Sequence, residues 1–405
     1  MSKHKWIQKT ALLHCFMLIA VVFPGSSQTP EQFVRSQNMS ILKSDKEVRE
    51  ADGEPFTRLA TLDEMIGQMI MVGLKGTDLQ ENQQLLETLK QGKAGGVIFF
   101  EKNLSPDSTA IRVRSLISDL QMASLHPLLI AIDQEGGRVN RLKARYGFPD
   151  SKTATWLGDQ NHCDTTWYYA EQTATTLKAL GFNINFAPVV DLCTNPTNPV
   201  IAVPQRCFSS NPEMVTKHAG WYIDAHRSKG VLTTLKHFPG HGSSTKDTHK
   251  EMTDITNLWR NEELIPYQKL IQSDRADAIM TAHIIHCRLD TGCLPATLSK
   301  TIISGLLRDS LGYQGIVFTD DMQMHAITKH YGLEQSIKLA LLAGVDILLF
   351  SNNIPGSKEH QATVVHKIIR DLVDTGVVTE ARIRESYERI TRTKQTLFPS
   401  YPFPL

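Results

Sequence analysis

Residues 231–249 read VLTTLKHFPGHGSSTKDTH, and the fold is decided in this stretch. Its first half is short, apolar and β-branched, bounded by Gly230 and Pro239, which reads as a buried strand. Its second half collects Gly, Ser, Thr, Lys, Asp and histidines, too polar and too glycine-rich for a core. A buried strand that opens into a loop of titratable groups is how an α/β barrel presents chemistry at the C-terminal face of its sheet.

Working outward, the chain repeats one unit: a helix-like stretch, a short apolar run, a polar turn. The apolar runs are Gln68–Gly73, Gly95–Phe100, Leu128–Asp133, Asn183–Ala187, Leu232–Lys236, Ala278–Ala282, Gly315–Thr319 and Val345–Phe350. Strands buried on both faces read as continuous runs, and helices between them imply parallel crossovers. Eight such units predict an α/β fold, a single (β/α)8 TIM-type barrel, with a doubly wound open sheet as the alternative. One helix is well marked: Ser299 as its cap, Ile302, Ile303, Leu306, Leu307 and Leu311 on one face, Gly312 at its end. Two further helices, about 357–375 and 380–396, are expected to close the chain, with no second domain behind the barrel.

The N-terminus reads as a targeting segment. Lys3, Lys5 and Lys9 precede the apolar run Ala11 to Phe23, and small residues around Ser27 suit cleavage there. The run falls short of the roughly 20 residues a spanning helix needs. The expected layout is a signal peptide over 1–27, a polar linker over 28–57 and the catalytic barrel with its C-terminal helices over 58–398. Net formal charge is +1 with no basic stripe, which argues against nucleic acid as a partner. Export permits disulfides. Without Cys15 five cysteines remain, so at least one is unpaired. Cys287 and Cys293 close a small loop, Cys193 and Cys207 share another, and five reduced thiols are the alternative.

Ionisable groups stand at the ends of most runs. Asp133 closes the third and is followed by Arg138 and Arg141; Asp191 and Arg206 follow the fourth. Lys236 and His237 end the fifth, then come Asp247 and His249; His283 ends the sixth and Asp320-Asp321 the seventh. Such groups are costly in a core unless paired and are expected at a catalytic mouth. Pro239 and Gly240 forbid the helix that would align His237 with His241 on a metal. Asp321 is expected to cap the next helix, Asp191 to brace its loop, and His283 either to pack behind the site or to touch it. That leaves Asp320 facing an Asp–x–His pair. A carboxylate and a separate proton donor are the equipment of retaining glycoside hydrolysis. An unperturbed histidine titrates near pH 6.5, which suits His249 to acid and base roles, and Asp247 can hold its tautomer. The Gly240–Thr248 loop, with Gly242, Ser243 and Ser244 after His241, is expected to let His249 swing.

The ordered motifs AGGVIFF (94–100), IDQEGGRVNRL (132–142), GFNINFAPVVDL (181–192), LKHFPGHGSSTKDTH (235–249) and GIVFTDDM (315–322) resemble glycoside hydrolase family three. The resemblance runs from about Thr61 to Leu397 and is to the bacterial single-domain β-N-acetylhexosaminidases that trim peptidoglycan fragments. It implies a (β/α)8 barrel without metal or cofactor, Asp320 as nucleophile, His249 as acid/base and Asp247 as its partner. It puts Asp133, Arg141, Arg206, Lys236 and His237 on the sugar. The arginine loop departs from the family's usual GxRSF, reading AVPQRCF, and Met322 stands for a usual leucine. The expectation is an exported, monomeric, retaining exo-β-N-acetylglucosaminidase, periplasmic or secreted, without a membrane span after cleavage. It would act on GlcNAc-containing carbohydrate: muropeptides or short chito-oligosaccharides. The alternatives are a β-glucosidase or other exo-β-hexosidase, and a non-catalytic sugar-binding barrel.

Overall fold

A computed structural model describes residues 58–248, 251–352 and 361–404. The expected signal peptide and linker lie outside these residues, as does His249. Eight strands form one parallel sheet: β1 (Ile70–Gly73), β2 (Gly96–Phe99), β3 (Leu129–Ile132), β4 (Ile184–Asn185), β5 (Leu232–Phe238), β6 (Ala278–Thr281), β7 (Ile316–Phe318) and β8 (Leu348–Phe350). Seven of the eight apolar runs hold one of them entirely, and β5 runs on past Lys236 to Phe238. Neighbours pair in chain order, with Val72 opposite Val97 and Ile98 opposite Ala131, and β8 returns to β1 with Met71 opposite Leu349. The last seam closes through a parallel bridge between Phe318 and Ile347, so the sheet is a barrel and not an open wound sheet.

The strands are buried along almost their whole length because helices cover the outside and side chains fill the inside. Phe99 meets Phe182, and Phe186 meets Phe318, edge-on at 5.2 Å between ring centroids. Burying each such ring stabilises the fold by about 1.5–3 kcal/mol. Polar staples hold the end opposite the site. Lys394, on the last helix (Glu380–Leu397), is fully buried and donates to Gln68 Oε1, Gly95 O and Pro127 O at 2.6–2.8 Å. Asp346, at the β7–β8 seam, accepts from Arg308, Arg389, Ser386 and the Val317 amide. A buried carboxylate is tolerated only with such a set of donors.

The marked helix spans Thr301–Ser310 and is wound as a π-helix. Ser299 Oγ accepts from the Ile302 amide at 3.1 Å, and Gly312 follows the end in a left-handed turn, φ +71°. The closing helices are Gln361–Asp374 and Glu380–Leu397. Among the described residues no helix is long and apolar enough to cross a membrane. Disulfides join Cys193 to Cys207 and Cys287 to Cys293, while Cys163 is an exposed free thiol.

Candidate active site

The β3 loop is shaped by two glycines and one glutamine. Gly136 and Gly137 both take positive φ, 99° and 60°, which lets the chain double back so that the Glu135 and Gly136 amides reach Val139 O. A Cβ on Gly136 would stand 2.3 Å from Lys152 O. The buried Gln134 side chain accepts from the Arg141 and Leu142 amides and donates to Asn140. Asn185, at the end of β4, grips the Gln134 backbone on both sides, accepting from its N–H at 3.0 Å and donating to its carbonyl at 3.1 Å. This frame brings Asp133, Glu135 and Arg141 to one place.

Lys236 ends up between two of them. Its Nζ lies 2.8 Å from Asp133 Oδ1 and 2.7 Å from Glu135 Oε1. Arg206 reaches in from the loop tied by the Cys193–Cys207 disulfide. It donates to both Glu135 oxygens, to Val200 O and, at 3.2 Å, to His237 Nε2. Burial pushes the Asp133 and Glu135 carboxyls up. Lys236 with Arg141 and Arg206 with Lys236 outweigh it, so Asp133 sits below the usual carboxylate range and Glu135 well below. Burial likewise works against the Lys236 cation, and Asp133 and Glu135 hold its pKa raised. The set is therefore ionised at neutral pH.

Asp191 braces its surroundings, as expected from its position. Fully buried, it accepts from the His237 and His241 amides and from His237 Nδ1 at 2.7 Å. That bond assigns the proton of His237 to Nδ1 and leaves Nε2 to accept from Arg206. At the end of β7, Asp320 Oδ1 accepts from the Asp321 amide at 2.7 Å. Asp321 does not cap the next helix, which begins at His325 after Met324, and no side-chain bond caps it. It is drawn instead across the last seam, accepting from the Gln323 and Ser351 amides and the Ser351 hydroxyl, and burial raises its pKa. His283 is fully buried behind it, with Nε2 on Asp321 O and Nδ1 on Thr297, so it packs behind the site.

Asp133, Arg141, Arg206, Lys236, His237 and Asp320 line one cavity of about 630 Å³ at the C-terminal mouth, together with Glu135, Phe100, Lys102 and Asp321. Glu135 is the residue that sequence reasoning missed. Its signal is an acid set between a strand-end lysine and the arginine of the β4 loop, visible only once the barrel order is known. Asp247 is half-buried on the β5 loop and, among the described residues, is not part of that lining. The loop's root is not the mobile part expected. Gly240 to Ser244 are buried: Asn198 Nδ2 reaches His241 O, Gly242 O and Ser244 Oγ, and Asn195 donates to Ser244 O. His241 spans Ser244 Oγ and Thr248 Oγ1, and burial lowers its pKa to about 4, so it is neutral. Within Gly240–Thr248 only Thr245 and Lys246 are exposed.

A closed parallel barrel with ionised side chains converging at its C-terminal mouth defines a (β/α)8 barrel with a built polar site. The chain belongs to glycosyl hydrolase family 3, whose N-terminal domain matches residues 61–393. It is similar to Beta-hexosaminidase A of Pseudoalteromonas piscicida, 33% identical over 336 residues that cover 78% of this chain and 55% of that protein. It is also similar to the Beta-hexosaminidase of Tolumonas auensis, 33% identical over 71% of this chain and 84% of that one. The chain thus spans little more than half of the first relative and most of the second. Among solved structures, the family 3 beta-N-acetylglucosaminidase from Paenibacillus sp. str. FPU-7 superposes with a TM-score of 0.76 at 34% identity, covering 84% of this chain and 64% of that one. The Beta-N-acetylhexosaminidase from Beutenbergia cavernae does so with a TM-score of 0.72 at 27% identity, covering 83% and 98%.

Proposed function

We propose that this protein is an exported, monomeric, retaining exo-β-N-acetylglucosaminidase that removes a non-reducing terminal GlcNAc from muropeptides or short chito-oligosaccharides. The observation that carries the reading is the convergence of Asp320 with Asp133, Arg141, Arg206, Lys236 and His237 on one cavity. A buried ionised network offers hydroxyl-binding donors and acceptors whose positions are set before substrate arrives, which is what orienting a sugar ring requires. The names of the relatives support the N-acetylhexosamine.

In this mechanism Asp320 attacks the anomeric carbon as the glycosidic bond breaks, and His249 gives its proton to the leaving oxygen. Asp247 orients the imidazole and stabilises its charged form. His249 then takes a proton from water, which attacks the anomeric carbon and frees Asp320 with overall retention. Between the two substrate types, the rim favours an anionic aglycone. Lys102 lines the cavity with its Nζ on Asn352 O, and outside the lining Lys143 and Arg145 share the single carboxylate of Glu101, so that this one corner of the rim holds more cations than carboxylates. A muropeptide carries carboxylates and a chito-oligosaccharide none. The two disulfides suit an oxidising compartment and so support export.

Turnover of aryl β-GlcNAc and aryl β-glucoside, with a fluoro-glycosyl donor as trap, tests the reading. The expected result is preference for GlcNAc and a label on the peptide holding Asp320. Preference for glucoside would favour the β-glucosidase alternative, binding without turnover the non-catalytic one, and inversion at the anomeric carbon would overturn the mechanism.

A further inference from the structure

The root of the β5 loop is held from below by a residue that the catalytic scheme does not use. Glu263 lies in the turn Asn261–Leu264 ahead of the helix Ile265–Gln272, and it is 1% exposed. Its Oε2 accepts from the Gly242 amide at 2.9 Å. Gly240, with φ +124°, lies so close that a Cβ there would stand 2.7 Å from Glu263 Cβ and Oε2. On the other side a Cβ on Gly242 would stand 1.9 Å from Leu192 O. Trp259, four residues before Glu263, adds a second tie from the same segment, donating from Nε1 to Pro239 O at 3.2 Å.

The loop root is thus clamped between the β4 loop and the Trp259–Glu263 segment. Two glycines are required there because the clamp leaves no room for side chains. A buried carboxyl is expensive, and this one faces only the neutral donors of Gly242 and Ser243, with no cation among the described residues to offset its burial. A plain apolar contact would fill that space at less cost. The feature that repays the carboxyl is its bond to the amide of Gly242, five residues before Asp247.

We propose that Glu263 is a positioning residue for the acid/base loop: it fixes the Gly240–Ser244 root, so that the segment carrying Asp247 and His249 departs from one set point. The proposal rests on the reading of His249 as proton donor. A group that acts through the donor's placement affects substrates with poor leaving groups, which need protonation, and spares activated aryl ones. It alters kcat and not KM, because Glu263 touches no substrate.

The test compares Glu263→Asp, Glu263→Gln and His249→Ala on 4-nitrophenyl β-GlcNAc and on a GlcNAc disaccharide, with melting curves for each. Aspartate is one methylene too short to reach Gly242; glutamine keeps an acceptor there. Glu263→Asp is expected to lose about tenfold in kcat on the disaccharide with KM within about twofold, a part of the 10²–10⁴-fold that a positioned acid supplies. It loses less on the aryl substrate, and Glu263→Gln restores the wild-type ratio of the two. If His249→Ala shows the leaving-group dependence and Glu263→Asp does not, the positioning role is overturned and the function stands. If His249→Ala shows none, the acid assignment fails and this proposal falls with it. Should Glu263→Asp not fold, Trp259→Phe removes the neighbouring tie to Pro239. It is expected to show the same selective loss, and equal losses on both substrates would overturn the proposal.

Discussion

Glu135 and Arg206 meet through two hydrogen bonds, Nε to Oε2 at 2.7 Å and Nη2 to Oε1 at 2.8 Å, on side chains that are almost wholly buried. A two-point pair fixes the guanidinium plane as well as its place. Because Glu135 also takes Lys236, one carboxylate sets the direction of two groups proposed to hold the sugar. Glu135→Gln is therefore expected to raise KM at least about tenfold and to destabilise the fold by up to about 3–5 kcal/mol, the range for breaking a buried pair. The carboxyl's pKa is depressed in the folded state, so its contribution is fully present above the unfolded value near 4.5, weakens as pH falls below it, and is lost only as pH reaches the much lower folded value. Melting curves of both proteins at pH 7 and pH 4 check this: the gap between them shrinks at pH 4. A constant gap would show that the charge pair is not what the substitution removes.

Asp320 sits at the end of β7 with its Oδ1 on the Asp321 amide, and Asp321 is committed to Ser351 and Gln323. Asp320→Ala is expected to lower kcat by at least about 10³-fold, or ~4 kcal/mol in barrier, with a melting temperature near wild type. Activity within tenfold of wild type would remove Asp320 from the nucleophile's role.

The eight strands were legible because a parallel strand covered on both faces must be apolar throughout, and no other element of that length is. Asn185 marks the limit of this rule. The run Asn183–Ala187 holds only the two-residue β4, and its two polar members grip neighbouring backbone: Asn183 the Ile130 amide and Leu128 carbonyl, Asn185 the Gln134 amide and carbonyl. Asp133, Lys236 and Asp320 were legible as the first ionisable groups at or just past the end of an apolar run. Glu135 was not, since Arg206 lies 71 residues from it and nothing local marks the pair. Asp321 was misread for the opposite reason: local spacing suggested a cap, and the barrel's closing seam offered Ser351 instead. The packing of the loop root was not legible. Gly242, Ser243 and Ser244 after His241 suggest motion in sequence, and in the fold they are buried, with no room for a side chain at Gly242.

The two disulfides close loops of different size. Cys193–Cys207 spans 14 residues and anchors the loop of Arg206; Cys287–Cys293 spans six. Loop-closure entropy assigns about 3 kcal/mol to the first and roughly 2 kcal/mol to the second. Non-reducing mass spectrometry should find both linked peptides and Cys163 as the alkylatable thiol. Cys193→Ser/Cys207→Ser is expected to lower activity more than Cys287→Ser/Cys293→Ser does. Free thiols at Cys287 and Cys293 would refute the second link.

Glu263 makes a prediction about stability that is independent of catalysis. Burial raises its pKa from 4.5 to about 7, and nearby Asp191 adds to the rise, while Ser243 and the Gly242 and Ser243 amides oppose it. The other titratable groups around it do not relieve it: Tyr267 is buried beside it with its own pKa pushed up, and His241 is neutral. A carboxyl whose folded pKa lies above its unfolded one binds protons more tightly when folded. Stability is then greatest below about pH 4.5, declines as pH rises toward 7, and is flat beyond. Glu263→Gln carries no such proton, so its melting temperature should gain on wild type between pH 5 and pH 8. A shift from 4.5 to about 7 corresponds to ~3 kcal/mol at 1.36 kcal/mol per unit, and relaxation of the site brings the expected gain to about 1–2 kcal/mol. The comparison needs only melting curves of the two proteins across that window. A gap that stays constant, or that widens toward acid, would mean Glu263 is ionised throughout and holds the loop root as a charged acceptor.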